Sequence, residues 1–271
     1  MRMCVLGSGS SGNSIYIAGD GYSFLIDAGL SRRELEGRLS AAGAALSEIE
    51  AVLISHEHHD HIRGLAGLCR SHSVPVYVNR QTASAIIEKG IPSERLKFFK
   101  NGTEFALGTV TVHPFPVPHD ASDPVGFIIR DGEIRIGIVT DCGHPSKTVK
   151  RMLQGCSVLV VETNHDQDLL NNGPRHVSLK ERIRSDVGHL SNDAAAELIA
   201  EVASEELSDV FLAHLSEECN RPGMARMVVE RAMREAGFER VNIRLTYADR
   251  VSDVVEYHRT EREAPSPCHG G

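Results

Sequence analysis

Short apolar runs alternate with polar turns along the first part of the chain, at the period of strands rather than helices. Residues 3–6 read as a strand, and 15–18 with 22–26 as a hairpin turning at Asp20-Gly21. Ser31 and Glu34 make a capping box for a helix that Gly43 closes. From residue 51 onward strands and helices take turns. Strands are expected at 51–55, 74–79 and 158–161, and helices at 62–71, 81–88 and 146–154. Short strands at 95–99 and 103–107 flank Asn101-Gly102, and a longer one covers 109–117. Residues 125–130 and 133–139 form a second hairpin about Asp131-Gly132. A helix capped by Ser191 or Asn192 runs to about Glu206, and another runs from Pro222 to Ala236. Strands at 209–213, 241–246 and 251–257 complete an α/β pattern. Residues 1–258 read as one domain, with 259–271 as a flexible tail.

Side chains with metal-binding chemistry sit where these strands end. The apolar run 51–54 delivers Ser55-His56-Glu57-His58-His59-Asp60-His61. His56, His58, Asp60 and His61 are costly to order together unless something binds them. His56 and His58, two apart, point the same way from an extended segment and grip one divalent ion. Asp60 and His61 fall on the next turn and grip a second beside it. Imidazole with carboxylate suits Zn or Mn, and also Fe, while the lack of nearby thiolates argues against a closed structural zinc. The bland alternative is a solvated loop with chance histidines, which six patterned positions at a strand end weigh against. Further strand ends carry Pro118-His119-Asp120, Thr140-Asp141-Cys142-Gly143, Glu162-Thr163-Asn164-His165-Asp166 and His214-Leu215-Ser216. Their convergence on one edge is the strongest functional signal in the chain. Asp120 and Asp123 are expected to hydrogen-bond within their own loop.

Composition narrows the class. With 271 residues, 41% hydrophobic and 24% charged, the chain can bury a substantial core. No apolar run approaches the roughly 20 residues of a membrane span, and Gly7 comes too early for a signal peptide. Six scattered cysteines without a C-x-x-C pair read as reduced thiols of a cytoplasmic protein. Cys142 reads as a small buried hydrophobe. A net charge of −8 is a mild argument against broad nucleic-acid binding, softened because two divalent ions reverse the sign locally. Residues 174–184 run against that balance, with four Lys/Arg and one Glu. Arg175, Lys180, Arg182 and Arg184 are either a solvated helix or contacts to a phosphate backbone. The Gly/Ser-rich loop at 7–14 lacks the lysine of a P-loop and leads into a strand, so its own chemistry marks only a polar connection.

The run H-x-H-x-D-H resembles that of the metallo-β-lactamase-fold hydrolases, whose four-layer αββα sandwich holds one or two metals. The resemblance implies His56, His58 and His119 on one ion, Asp60, His61 and His214 on another, and Asp141 between them. Two divalent ions about 3.5–4 Å apart would bind a bridging hydroxide and clamp the oxygens of a displacement at phosphorus, though such a site also attacks carbonyls. The segments L-x-S-G-S-S-G-N-S, L-I-D-A-G-L, E-T-N-H-D, G-H-L-S-N and H-L-S-x-x-x-N resemble one branch, the YycJ/WalJ-type exonucleases, over about residues 1–250. That branch implies a 5′-to-3′ DNA exonuclease, with mismatch-repair proteins as partners. It implies His189 as general acid, Glu162 as its orienter, and Asp60 as an essential ligand. It places Ser11, Asn13, Asn164, His165, Ser216 and Asn220 near substrate, and Asp27 with Gly29 on the rim without making Asp27 a ligand. The chain departs from the branch at Cys219, where asparagine is common, which leaves open what the 216–220 loop contacts. It also lacks the insertion of the β-CASP nucleases, since only 73 residue steps separate Asp141 from His214. Two rivals remain: a hydrolase of a thioester or cyclic phosphodiester on the same metals, and a binding protein on a retained fold.

Overall fold

A computed structural model describes residues 1–258, and the tail expected at 259–271 lies outside the described residues. The chain builds one half first. It comprises strands β1 (Arg2–Gly7), β2 (Ser14–Gly19) and β3 (Tyr22–Ile26), helix α1 (Arg32–Ala41), β4 (Ala51–Leu53) and the short helices α2 (His59–Ile62) and α3 (Leu65–Ser71). It ends with β5 (Val76–Val78), α4 (Arg80–Glu88) and β6 (Leu96–Phe98). The second half holds β7 (Phe105–Leu107), β8 (Val110–Pro116), β9 (Val125–Asp131), β10 (Ile134–Val139), α5 (Lys147–Leu153) and β11 (Val158–Glu162). It continues through α6 (Gln167–Asn172), α7 (Val177–Arg184), α8 (Asn192–Val202), β12 (Asp209–Ala213), α9 (Pro222–Glu235) and β13 (Asn242–Leu245). The last strand, β14 (Val255–Glu256), returns to pair with β1.

Two seven-stranded sheets result, in the orders β14-β1-β2-β3-β4-β5-β6 and β13-β12-β11-β10-β9-β8-β7. Both are mixed. In each, the strands that alternate with helices run parallel and the hairpin strands antiparallel. Strand periodicity sorts the side chains. On β3, Phe24 and Ile26 enter the layer between the sheets, where Phe127, Ile136, Val160 and Phe211 meet them from the other sheet. Leu25, facing the other way, packs under α1 and α3 with Leu35, Leu39, Leu65 and Leu68. On β12, Phe211 points inward while Val210 and Leu212 pack against Leu198 and Ile199 of α8 and Val229 of α9. The four-layer αββα sandwich follows from that alternation.

The expected helix at 62–71 starts earlier and breaks. In a continuous helix the Asp60 carbonyl would accept from the Gly64 N–H. Instead it accepts from Asn13 N–H at 2.7 Å, and Gly64 N–H donates to the Ala28 carbonyl at 2.8 Å. A Cβ on Gly64 would collide with the Leu30 carbonyl, and one on Gly29 with that of Asp60. The histidine loop is therefore laced to the 27–30 segment by backbone. The helix expected to reach Glu206 stops at Val202, and the strand expected at 251–257 is ordered only at Val255–Glu256. The capping box at Ser31 and Glu34 is present, with Gly43 at φ 73° just past the helix end. Five cysteines among the described residues are buried and unpaired, and burial pushes the Cys156 thiol up to about 11. Among the described residues no helix is long and apolar enough to cross a membrane.

Candidate metal centre and active site

Every strand that delivers a ligand-type residue does so at its carboxyl end, along the edge where the two sheets meet. The β4 end supplies His56, His58, Asp60 and His61, the β8 end His119, the β10 end Asp141, the β11 end Glu162 and the β12 end His214. Ligand atoms of His56, His58 and His119 lie within 4.8 Å of one another, as do those of Asp60, His61 and His214. Asp141 joins the two groups. Its Oδ2 is 3.0 Å from His61 Nε2, and its Oδ1 is 3.2 Å from His214 Nδ1 and 3.6 Å from His119 Nε2.

The arrangement is unsatisfied as it stands. His56 Nε2 and His214 Nε2 are buried without a hydrogen-bond partner, and Asp141 Oδ2 has no neighbour but His61 Nε2 at 3.0 Å. Buried polar atoms left this way cost free energy unless something neutralises them. Imidazole and carboxylate donors converging in overlapping groups, one of which also joins Glu162 and His189 to Asp141 and His214, fit divalent cations. Electrostatics agree. Burial pulls His61 and His214 down, but Asp141 and the neighbouring carboxylates outweigh it and hold both well above the ordinary histidine value. His56, where burial wins with His61 beside it, is held well below.

A second ring of contacts fixes the imidazoles. His61 Nδ1 sits 2.7 Å from Asp27 Oδ2, and Asp27 also accepts from Ser55 N–H at 2.8 Å and the Ser55 hydroxyl at 2.7 Å. His119 Nδ1 meets the Gly188 carbonyl at 3.0 Å, leaving Nε2 for the centre. The Ser8 hydroxyl accepts from His214 N–H at 2.6 Å. Asp27 and His214 both hold left-handed backbone, at φ 60° and 53°, an uncommon state that clusters at functional sites. Glu162, fully buried, accepts from Cys142 N–H and Leu190 N–H at 3.0 Å each. Its Oε1 lies 2.7 Å from His189 Nδ1 and 2.8 Å from His214 Nδ1. Burial would lower His189, but Glu162 raises it above the ordinary value.

Beside the centre is a cavity of about 160 Å³ lined by Ser10, Asn164, Arg175, Arg182, His189 and Ser216, among others. Of the four cations in the 174–184 segment, Arg175 and Arg182 reach it. Lys180 turns away to the carbonyls of Asn171 and Gly173, and Arg184 turns to the Asn171 side chain. Arg182 also pairs with Asp120 at 2.5 Å, and Asp123 accepts from Asn101 at 2.7 Å. Both aspartates thus bond outside the loop in which they were expected to stay. Asn13 is occupied at the centre, its Nδ2 lying 3.1 Å from Asp60 Oδ2 and 3.0 Å from His61 Nε2. Ser11 stands exposed one residue beyond Ser10. His165 is buried, which pushes it down to about 4, and its carbonyl accepts from Asn192 N–H at 2.8 Å. Asn164 donates to the His214 carbonyl, and Asn220 is paired with Asn192 and the Thr163 carbonyl. Sequence reading gave no role to Ser8 or Ser55, and placed Asp27 on the rim without its hold on His61. The one local sign was an Asp directly after a strand and before Ala-Gly.

Fold and centre together define a metal-dependent hydrolase of the metallo-β-lactamase fold, and the chain belongs to the beta-lactamase superfamily, whose domain family matches residues 22–214. It is similar to exodeoxyribonuclease YycJ of Bacillus anthracis, at 34% identity over 98% of this chain and 97% of that protein. Exodeoxyribonuclease WalJ of Streptococcus pneumoniae is 31% identical, over 87% of this chain and 89% of its own length. Among solved structures, the metallo-beta-lactamase fold protein YhfI from Bacillus subtilis superposes with a TM-score of 0.70 at 17% identity, covering 92% of this chain and 98% of that one, a likeness of fold alone.

Proposed function

We propose that this chain is a DNA exonuclease working 5′ to 3′, with two divalent ions per chain. His56, His58 and His119 would hold one ion, Asp60, His61 and His214 the other, and Asp141 would bridge them. The observation that carries the reading is the pair Glu162–His189, 2.7 Å apart on the wall of a cavity flanked by two arginines. Divalent ions bound there, Zn or Mn by donor type, would act as Lewis acids and activate water. The residues around them do the rest. Glu162 takes His189 Nδ1 and so leaves Nε2 to give a proton to the leaving oxygen. An alkoxide departing from phosphorus needs that proton far more than a thiolate departing from a carbonyl does. Arg175 and Arg182, paired here with Glu218 at 2.8 Å and Asp120 at 2.5 Å, would exchange those carboxylates for phosphates of the strand. The names of the two sequence relatives support DNA as substrate, and the buried, unpaired thiols among the described residues suit a cytoplasmic enzyme whose partners would be repair proteins.

The test is digestion of a single-stranded oligonucleotide labelled at its 5′ or its 3′ end, alongside metal analysis of the purified protein. Mononucleotides released first from the 5′ end, with close to two ions per chain, are the expected result. Turnover of small phosphodiesters with no attack on DNA would overturn the nuclease reading.

A further inference from the structure

A second cavity, about 390 Å³, opens on the other side of Ser216, which lines both. Its size falls within the roughly 300–1,000 Å³ usual for ligand pockets. Leu215, Pro222, Tyr247 and Ala248 give it apolar walls, and Ser8 closes it toward the metal centre. Ser8 ties wall and centre together. Its hydroxyl accepts from His214 N–H at 2.6 Å, while its own N–H donates to the Tyr247 carbonyl at 3.0 Å. Tyr247 is therefore held at a fixed offset from a ligand-type histidine. The Arg250 guanidinium lies 3.6 Å from the centroid of the Tyr247 ring and covers one of its faces, so a base would stack on the other.

Two cavities of different character thus share a wall beside the centre. One is flanked by Arg175 and Arg182, while the other is mostly apolar with an aromatic ring, its charged lining being Glu217, Arg221 and Asp249. A nucleotide divides the same way, into a charged phosphate and a flat base. We propose that the apolar cavity receives one unpaired nucleobase of the DNA strand, stacked on Tyr247, while the adjoining phosphates lie at the centre and the arginine-flanked cavity. The proposal rests on the nuclease reading and adds where the substrate's base goes. Stacking on an aromatic ring tolerates any base, so the pocket selects an unstacked strand rather than a sequence.

The test uses the metal-loaded chain and single-stranded oligonucleotides carrying one abasic position, moved stepwise from the cleaved end. For the wild-type chain, KM should rise at one position only. Tyr247→Ala should raise KM on ordinary DNA by about 5- to 150-fold, with kcat much less affected, and Tyr247→Phe should restore it. The abasic position should add nothing in Tyr247→Ala. A 2-aminopurine at that position should lose fluorescence on binding to the wild-type chain and keep it with Tyr247→Ala. A flat abasic scan with DNA cleavage intact overturns the base pocket and gives the cavity to another occupant, such as an apolar side chain of a partner protein. The scan needs no variant, so poor folding of Tyr247→Ala does not blunt it. Failure of the wild-type chain to digest any DNA overturns the nuclease reading itself, and this proposal with it.

Discussion

Asp27 adopts φ 60° so that one carboxylate can meet Ser55 N–H, the Ser55 hydroxyl and His61 Nδ1 together. Orientation of a ligand histidine by such a partner is typically worth about 10- to 100-fold in metal affinity. Asp27→Asn tolerates the same backbone but loses the charge, so metal affinity should fall by about that factor while the fold persists. Competition with a chelating dye measures it, and equal affinities would remove Asp27 from this role. His189 makes a different demand. His189→Ala should keep its metals yet slow DNA cleavage by roughly 10²- to 10⁴-fold, the usual contribution of a positioned proton donor. Bis(p-nitrophenyl) phosphate, whose leaving group needs no proton, should suffer far less; equal losses on both substrates would exclude acid catalysis by His189. The residues gathered at the centre were legible because histidine and aspartate at strand ends carry their chemistry in their type. Asp27 and Ser8 were not, because what they hold lies 34 and 206 residues away in sequence.

Helix α7 shows how an element divides its own charges. Lys180 and Arg184, one turn apart, share a face that looks toward Asn171, while Arg182 falls on the face toward the cavity. A uniform basic run in the sequence becomes two pairs with different surroundings. Arg175→Gln with Arg182→Gln should flatten the dependence of log DNA affinity on log salt by up to about 1.4–1.8, at roughly 0.7–0.9 per contact. Lys180→Gln with Arg184→Gln should leave the slope alone. Excess divalent ion must be present, so that salt does not act by stripping the centre. Slopes unchanged from wild type in both double variants would make all four a solvated surface. The break between α2 and α3 belongs to the same scale. Apolar spacing alone reads 62–71 as one helix, and only the approach of residues 28–30 explains why Gly64 ends the first turn. Gly64→Ala should cost about 1–3 kcal/mol from overpacking, lowering Tm by several degrees in a thermal melt. An unchanged Tm would mean that the 28–30 segment gives way easily.

At the scale of the molecule, the centre sits on a seam. His56, His58, Asp60 and His61 come from the first half, and His119, Asp141 and His214 from the second. Ions bound to both halves would staple one sheet to the other. At an ion concentration 100 times Kd, mass action adds about 2.7 kcal/mol, or roughly 5–10 °C in Tm, and chelation should remove it reversibly. A melt indifferent to chelator would mean that the halves hold together without help. The α/β class was visible in the alternation of strand and helix periods. The matching order of the two sheets was not, because the short strands β6 and β7 look like neighbours in sequence yet belong to different sheets.

Because the ligand set is divided across the seam, the spacing of its two parts is set by side chains that lie outside it. Phe24, Phe127 and Phe211 fill the layer between the sheets and act as its spacers. Swapping them for larger or smaller apolar residues changes the gap while every ligand stays in place. The preferred ion and the reach of the attacking group can then drift through the interior of the sandwich, under substitutions that ordinarily pass as silent repacking. Variation in such an enzyme is to be sought in its hydrophobic filling as much as at its mouth.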